Sequence, residues 1–550
     1  MLPDAGRFGG GTSDAVRIRQ DAGRWRHSWV GDNACVKESD PAVAVDASAP
    51  CVPDQSPSLV RVALDRRARI WPDRRFLAGG SPWRLVRLSQ PAAGFASRLR
   101  ARGDEGLVPD ASDVAAAHVL VERGLAHPAP VPCAGPHDVT VVVPAYGRPD
   151  SLARCLEALA GLTVIVVDDA TPDPRALRDV VEAHGATYLR LEVNAGPGAA
   201  RNAGAAACES CLIAFVDSDC QPVGGWLDLL VAHFADPRVG AAAPRISSTM
   251  ARTRPEAPAR VLDRFEALAS SLDMGGDPAL VRPGAALGFV PAATLVVRRS
   301  AFDQGGFEEG MRVGEDVDLV WRMADAGWHV RYVPSARVVH ESRDTWGGWL
   351  RQRFDYGTSA GALDRRFPGR LSPLRVSAGN ATALGLLTLG RWIPAALSAG
   401  TSSALLSRKV IVAGGGPRAA ASIGAIGLRS DASSVGHALR REYWPVGLAA
   451  VALAPKVPAA RIAVALMVAP LVRDWAKQKD QLDPLRYVAL RLVADAAYGS
   501  GVLVSAWRQR DVGSIKPALR GSSGHVAQRV SGLRDSLSRR RIRAGSTRPR

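Results

Sequence analysis

The sequence predicts an α/β protein in which a parallel sheet is covered by helices. Between residues 136 and 365, four short runs of apolar residues alternate with segments of helical periodicity. Each run is apolar at consecutive positions, as expected for a strand that is buried on both faces. Polar clusters follow the first, second and fourth runs, and ligands of such sheets bind beyond the carboxyl ends of the strands. These observations indicate a ligand-binding α/β domain.

The strands and helices of this domain follow one another in a regular order. Strands are predicted at residues 139–143, 164–167, 187–191, 212–216 and 329–333. Helices are predicted at residues 152–159, 177–181 and 199–207, and from Glu315 onward. Because a strand–helix–strand repeat connects parallel neighbours, we expect one sheet with helices on both faces.

The segments on either side of this domain differ in character. Residues 1–75 mix charged side chains without an apolar run, so a signal peptide is excluded and a flexible extension is predicted. Residues 76–135 predict a small accessory α+β module, with a short strand and two helices, that ends in a Pro-rich linker. Residues 366–510 predict an apolar helical region, and residues 511–550 predict a basic disordered tail.

The apolar helical region raises the question of a membrane. Its stretches at residues 445–455 and 462–472 are shorter than the roughly 18–20 apolar residues that a spanning helix needs. Buried or interfacial helices are therefore predicted, with true spans as the alternative. Residues 515–550 carry ten Lys or Arg against one acid, so an anionic membrane surface is a candidate partner.

Composition excludes several classes of protein. A chain of 550 residues that is 47% hydrophobic is neither wholly disordered nor fibrous. The formal charge of +17 comes without an aromatic-rich RNA motif or a helix-turn-helix signal, so no nucleic-acid partner is expected. Seven scattered cysteines are typical of a reducing compartment. The predicted location is the cytoplasm, at the inner face of the cell membrane.

The strand at residues 212–216 ends in Asp217-Ser218-Asp219. Two carboxylates two residues apart, at the end of a buried strand, can direct oxygen atoms at one hard cation. Mg²⁺ and Mn²⁺ use such ligands and commonly share them with substrate phosphates. The alternative is a capping or turn pair. We expect Mg²⁺ or Mn²⁺ at Asp217 and Asp219.

A glycine-rich segment, residues 194–204, joins the third strand to the next helix. Its glycines allow close approach to the helix N-terminus, where amide hydrogens favour an anion, and Arg201 adds a cation one turn later. This pattern predicts contact with a diphosphate; the alternative is an ordinary turn with a surface arginine. The fingerprint G-x-G-x-x-G is absent after the first strand, where Pro144 and Tyr146 stand, which disfavours a nicotinamide oxidoreductase.

Five segments in order resemble the motifs of the family 2 glycosyltransferases. They read VVVPAYGRPDSLARCLEAL, VIVVDDATPD, NAGPGAARNAGA, AFVDSDCQP and GEDVDLVWRMADAGW. The resemblance covers about residues 137–360. It implies the GT-A fold, a nucleotide-diphosphate sugar as donor, and transfer with inversion at the sugar carbon.

The resemblance also implies roles for individual residues. The donor would be bound by Pro144, Tyr146, Asp168, Asp169, Asn194, Gly196, Arg201 and Ser218. The metal ion would be held by Asp217 and Asp219, with His340 as a further ligand. Glu315 and Asp316 match the family's catalytic pair, in which Asp316 would be the base. The segment at residues 351–354 only loosely resembles the Q-x-x-R-W motif of processive members, so processivity is left open.

The flanking segments resemble one group within this family. Together with the catalytic motifs, residues 76–510 are similar to the mycofactocin-biosynthesis glycosyltransferases, which implies UDP-glucose as donor and a peptide-derived acceptor. A cell-wall glycan or polyprenyl-phosphate acceptor is the alternative. A different class is a nucleotide-sugar-binding protein without catalysis, which the joint presence of Asp217, Asp219 and Asp316 disfavours.

Overall fold

The structure is a computed structural model that describes residues 60–71, 76–132, 135–248, 260–341, 345–412, 416–478 and 481–520. Most of the predicted flexible extension and the part of the predicted disordered tail, residues 511–550, that follows residue 520 lie outside these residues. The first ten residues of that tail are ordered instead, with a strand at Ala518–Arg520.

A small α+β module precedes the central domain. Its elements are β1 (Arg61–Leu64), β2 (Arg69–Ile70), β3 (Phe76–Gly79), β4 (Arg84–Arg87), α1 (Gln90–Arg102), α2 (Val114–Glu122) and β5 (Ala126–Ala129). Strands β2, β3 and β4 form one antiparallel sheet, and β1 pairs with β5. The strand and the two helices predicted after residue 76 are present. Because β1 and β2 pair with later strands, the predicted boundary at residue 76 falls inside this module.

The central domain contains one large sheet. Its strands are β6 (Val139–Ala145), β7 (Thr163–Asp168), β8 (Thr187–Arg190), β9 (Leu212–Val216), β10 (Cys220–Pro222), β11 (Val239–Ser248), β12 (Ala279–Val281), β13 (Thr294–Arg298) and β14 (His329–His340). Its helices are α3 (Pro149–Ala158), α4 (Arg175–Ala183), α5 (Pro197–Ala206), α6 (Trp226–Val231), α7 (Val261–Ala269), α8 (Arg299–Phe302) and α9 (Glu315–Asp325).

The sheet is mixed rather than wholly parallel. The strand order is β10-β14-β11-β13-β9-β6-β7-β8, with β12 on β14. The half formed by β9, β6, β7 and β8 is parallel, as predicted. Strand β13 is antiparallel to both β9 and β11, which the sequence pattern did not reveal. The carboxyl ends of β6, β7, β9 and β14 still open at the same edge, because β11 and β14 run parallel to each other and antiparallel to β13.

Helices cover both faces of this sheet. On one face Leu152 and Leu156 of α3 pack with Leu177 and Val181 of α4 against the sheet. On the other face α5, α8 and α9 pack through residues that include Ala200, Phe302 and Leu319. The runs predicted as buried strands at residues 139–143, 164–167, 212–216 and 329–333 are buried, as at β9, where all five residues are inaccessible. The predicted run at residues 187–191 is not buried, because β8 lies at the edge of the sheet and is half-buried or exposed along its length. This three-layer arrangement fixes the sheet edge on which the site lies.

The C-terminal part is helical, as predicted. It consists of α10 (Trp346–Arg366), β15 (Arg375–Ser377), α11 (Ala378–Thr388), α12 (Trp392–Val412), α13 (Pro417–Arg440), α14 (Trp444–Leu453), α15 (Pro458–Trp475), α16 (Pro484–Gln509) and β16 (Ala518–Arg520). Helices α10 and α16 are in direct backbone contact, since a Cβ on Gly357 would come within 2.0 Å of the Tyr498 carbonyl oxygen. Strand β16 pairs in parallel with β15.

Among the described residues, one helix is long and apolar enough to cross a membrane. This is α16, and a third of its most apolar window is buried. It lies against α10, and Asp495 within it pairs with buried Arg440 of α13. Core helices meet the same criteria of length and composition.

The N-terminal module contacts both other parts. The hydroxyl of Ser81 donates to the Leu280 carbonyl oxygen in β12. On another side, Trp71 and Phe76 pack with Val410 of α12 and with Ala419 and Ile423 of α13. The module therefore lies against the central sheet and the helical region at once.

Candidate active site

A buried arginine joins two of the predicted site carboxylates. Arg201, on α5, donates to Asp217 at 2.7 Å and to Glu315 at 2.8 Å. Asp217 follows β9 directly, and Glu315 is the first residue of α9. The arginine thus brings together a strand end and a helix N-terminus that are about 100 residues apart in sequence.

Arg201 is a buried cation in this geometry. The residue is only 3% exposed, and the Phe307 ring lies 5.2 Å from its guanidinium carbon. Both terminal nitrogens of the guanidinium donate to carboxylates, and the contact with a diphosphate that the sequence suggested stays a prediction. Since a buried cation needs paired carboxylates, Arg201 positions Asp217 and Glu315 and partly neutralises them.

Glu315 and Asp316 lie where the family resemblance places its catalytic pair. Helix α9 begins at Glu315, so Asp316 is in the first turn, as predicted. Gly314 precedes them at φ +86°, and a Cβ there would come within 2.8 Å of the Ser359 side chain of α10. A larger residue would therefore push this turn away from α10. Asp316 accepts hydrogen bonds from the backbone amides of Val317 at 2.8 Å and Ala292 at 3.4 Å.

Both carboxyl groups of this pair are harder to ionise than usual. Burial, together with the charge of Asp316, raises the pKa of Glu315 to about 7, although Arg201 opposes the shift. Burial also raises the pKa of Asp316, and the nearby Asp217 adds to this effect. Both groups therefore hold protons at a higher pH than exposed carboxyl groups do, and a raised pKa makes a carboxylate a stronger general base.

Asp219 and His340 form a second group at the same edge. One Asp219 oxygen lies 3.5 Å from Nε2 of His340, and the other accepts from Arg148 at 3.0 Å. His340 ends β14, which pairs with β10 directly after Asp219. A carboxylate oxygen is a suitable ligand for Mg²⁺ or Mn²⁺ when phosphate oxygens complete the coordination, whereas an imidazole nitrogen suits a transition metal better than Mg²⁺.

The predicted three-residue metal site is not assembled in this structure. Among the described residues, no three His, Cys, Asp or Glu side chains come close enough to hold an ion. Asp217 is drawn toward Arg201, whereas Asp219 faces His340 and Arg148. The roles of Asp217, Asp219 and His340 as metal ligands therefore stay predictions, and of these residues Asp219 and His340 are the two that face each other. Ser218, partly exposed, lies in the turn between Asp217 and Asp219.

The glycine-rich segment binds an internal carboxylate at its helix N-terminus. Asp169 accepts from the backbone amides of Ala195 at 2.7 Å and Gly196 at 2.9 Å. Asn194 donates to the Asp169 carbonyl oxygen and accepts from Arg312. Because Asp169 already receives the amides predicted for a diphosphate, these residues shape the loop, and their contact with a donor stays a prediction.

The remaining predicted donor residues lie at the ends of β6 and β7. Asp168 is fully buried and accepts from Thr171, Tyr188 and Arg190. Although burial opposes ionisation, these hydrogen bonds hold the pKa of Asp168 below its usual value. Pro144 is partly buried in β6. Tyr146 follows that strand with 53% of its surface exposed, so it is open to a ligand.

Two charged residues at this edge were missed in the sequence. Arg148 bridges Asp219 and Glu341, and Glu341 also accepts from Ser151 and Arg154 of α3. Both positions are close to predicted residues, because Glu341 follows His340 and Arg148 lies two residues after Tyr146. The sequence feature that could have identified Arg148 and Glu341 was therefore their position near a strand end, not their residue type.

Comparison with known proteins identifies the family. Residues 140–304 match the family described as "Glycosyl transferase family 2". The "Pre-mycofactocin glycosyltransferase" of Mycobacterium tuberculosis is 38% identical over 483 residues, which span 84% of this chain and 97% of the relative. The "Glycosyltransferase AglE" of Haloferax volcanii is 25% identical over 40% of this chain and 71% of the relative.

A solved structure also matches. The mannosyltransferase PcManGT from Pyrobaculum calidifontis, in complex with GDP-Man and Mn²⁺, is 21% identical, covers 54% of this chain and 86% of its own, and has a TM-score of 0.33. A TM-score this low adds no argument of its own. The strand order and the family match establish an α/β fold of the GT-A type.

The chain is thus an enzyme, a glycosyltransferase of family 2 with the GT-A fold. Within that family it belongs with the pre-mycofactocin glycosyltransferases, which it resembles over nearly their whole length.

Proposed function

We propose that this enzyme transfers glucose from UDP-glucose to a hydroxyl group of a peptide-derived mycofactocin precursor, with inversion at the sugar carbon. The observation that carries the proposal is the Glu315–Asp316 pair in the first turn of α9, held beside Asp217 by Arg201. The similarity to the pre-mycofactocin glycosyltransferase supports the choice of acceptor.

Asp316 is the proposed general base. Its carboxylate accepts the proton of the acceptor hydroxyl while the acceptor oxygen forms a bond to the anomeric carbon. The bond from that carbon to the diphosphate oxygen breaks in the same step, and the nucleoside diphosphate leaves with the electron pair. The raised pKa of Asp316 makes its carboxylate a stronger base than an exposed one. Displacement from the opposite face is what inverts the carbon.

Asp219 and His340 are the proposed metal ligands. When bound there, Mg²⁺ or Mn²⁺ would supply positive charge to the departing diphosphate. Arg148 donates to the same Asp219 carboxylate and neutralises part of its charge. Tyr146, exposed after β6, is the proposed contact for the nucleoside base.

The proposed place of reaction is the cytoplasm, at the inner face of the membrane. The basic C-terminal segment supports this location. The cysteines add no support, because Cys211 is disulfide-bonded in the structure.

A donor screen tests the proposal. The full chain is incubated with UDP- and GDP-sugars, with Mg²⁺, Mn²⁺ or a chelator, and nucleotide release is measured with and without the acceptor. We expect metal-dependent release that the peptide-derived acceptor accelerates and that Asp316→Asn loses. NMR of the product should show the anomeric configuration opposite to that of the donor. Donor binding without release would instead support a nucleotide-sugar-binding protein, and transfer only to polyprenyl phosphate would support the lipid acceptor.

A further inference from the structure

Helix α14 is apolar around nearly its whole circumference and is exposed. Its sequence, WPVGLAAVAL, contains no charged residue. Val446 and Leu448 are each 60% exposed, and Leu453 is 52% exposed. Within this fully described helix only Gly447 is buried, and a Cβ there would come within 2.3 Å of the Leu439 carbonyl oxygen of α13. The helix is therefore attached to the protein along one narrow side.

The neighbouring helix α15 continues this apolar surface. Val464, Val468 and Val472 line a groove of about 710 Å³ that also includes Ala454, at the end of α14. Arg461 and Arg473 stand toward the two ends of the groove, about 18 Å apart at the helical rise. Isolated exposed apolar residues are ordinary, but a continuous surface of this kind marks an interaction site.

The charges around this surface are almost all positive. Residues 444–478 contain four cations and one acid, Asp474, which pairs with Lys477 at 2.9 Å. Among the described carboxylates, none lies within ion-pair distance of Lys456, Arg461 or Arg473. An apolar surface bordered by unneutralised cations is complementary to a bilayer that contains anionic lipids.

The length of α14 determines how such a surface could be used. Ten residues extend for about 15 Å, about half of the hydrocarbon thickness of roughly 30 Å. The helix is therefore too short to cross a bilayer and long enough to enter one leaflet.

We propose that α14, together with the outer face of α15, inserts into one leaflet of an anionic membrane and docks the enzyme there without spanning it. The proposal rests on the proposed location at the inner face of the membrane and specifies which surface would hold the enzyme there. It does not depend on the identity of donor or acceptor.

Vesicle flotation of the full chain tests the proposal. We expect the protein to float with vesicles of phosphatidylcholine and phosphatidylglycerol, much less with phosphatidylcholine alone, and to be released by carbonate. Leu448→Glu combined with Val451→Glu should weaken binding at least about tenfold, because two carboxylates would have to enter the apolar layer. The matched control is Val119→Glu, which changes a similarly exposed valine on α2 and should bind as the unmodified chain does.

Three results would overturn the proposal. Binding of the double variant equal to that of the control would exclude α14 as the docking element. Release by detergent only, and not by carbonate, would indicate a spanning helix instead. A dimer that the double variant dissociates, without any vesicle binding, would assign the surface to a second copy of the chain. Nucleotide affinity is measured in parallel without vesicles and should be the same in all variants. A loss of vesicle binding with unchanged nucleotide affinity therefore concerns docking alone, and a failure of the proposed catalytic function would be seen separately.

Discussion

Replacing Arg201 by alanine should destabilise the central domain more than it weakens nucleotide binding directly. The arginine is 3% exposed and is paired with Asp217 and Glu315. Its removal leaves two carboxylates near the sheet edge without their shared counter-charge. Breaking a buried ion pair by removing one partner costs about 3–5 kcal/mol, so we expect the free energy of unfolding to fall by that amount.

Two features of the structure refine this expectation. Arg201→Lys keeps the charge and loses part of the hydrogen bonding, so its free energy of unfolding should fall by a smaller amount, about 1.5–3 kcal/mol.

Without the arginine the pKa of Glu315, already raised to about 7, should rise further above its unfolded value of 4.5. The folded state then binds the extra proton, so stability falls as the pH rises between these two values. The defect of Arg201→Ala should therefore be larger at about pH 8 than at about pH 5.5.

The assay is urea unfolding followed by tryptophan fluorescence at both pH values, together with calorimetric titration of UDP into each folded variant. A matched control is Arg178→Ala, which removes an exposed arginine of α4. The reasoning fails if Arg201→Ala unfolds within about 1 kcal/mol of the unmodified protein and yet loses tenfold or more in UDP affinity. That result would restore the direct diphosphate contact suggested by the sequence.

Three further predictions concern the reaction. Asp316→Asn should lower kcat by roughly 10²–10⁴ while calorimetry finds nearly unchanged UDP affinity; a comparable loss of UDP affinity would contradict the role of base. Because burial raises the pKa of Asp316 above its ordinary value of 3.8, kcat measured against falling pH should decline before pH 3.8 is reached, and a profile that declines only near pH 3.8 would contradict the assignment. Asp219→Asn should abolish the stimulation of transfer by Mn²⁺ or Mg²⁺, whereas Asp179→Asn, at an exposed acid of α4, should not; equal stimulation in both variants would exclude Asp219 as a ligand.

The parts of the fold that follow from local pattern were predictable. Strand β9 has the predicted bounds, because a buried strand is a continuous apolar run that polar residues end. The start of α9 at Glu315 was also predictable, since carboxylates are favoured in the first turn of a helix. Strand β13 was not recognised, and its antiparallel direction depends on the path of the chain before it rather than on its composition.

The sequence predicted where the residues of the candidate site lie on strands and helices, but it predicted less well which other residues they contact. The sequence located Asp217, Asp219 and Asp316 at the ends of a strand and a helix, where the structure has them. It did not reveal that Arg201 contacts Glu315, because that contact joins residues 114 positions apart. For the same reason the sequence did not predict that Asp169 accepts hydrogen bonds from the backbone amides that precede α5. Residue types indicate what chemistry is available, whereas long-range pairing decides which groups remain available to a ligand.

The contact between the N-terminal module and α13 has a consequence for folding during synthesis. Trp71 and Phe76 pack with Ala419 and Ile423, which lie about 350 residues later in the chain. At a ribosomal rate of about 5–20 residues per second, roughly 20–70 seconds pass before that partner emerges. Throughout this interval Trp71 and Phe76 lack the α13 residues against which they pack in the complete chain, so we expect the module to reach its final packing only late in synthesis.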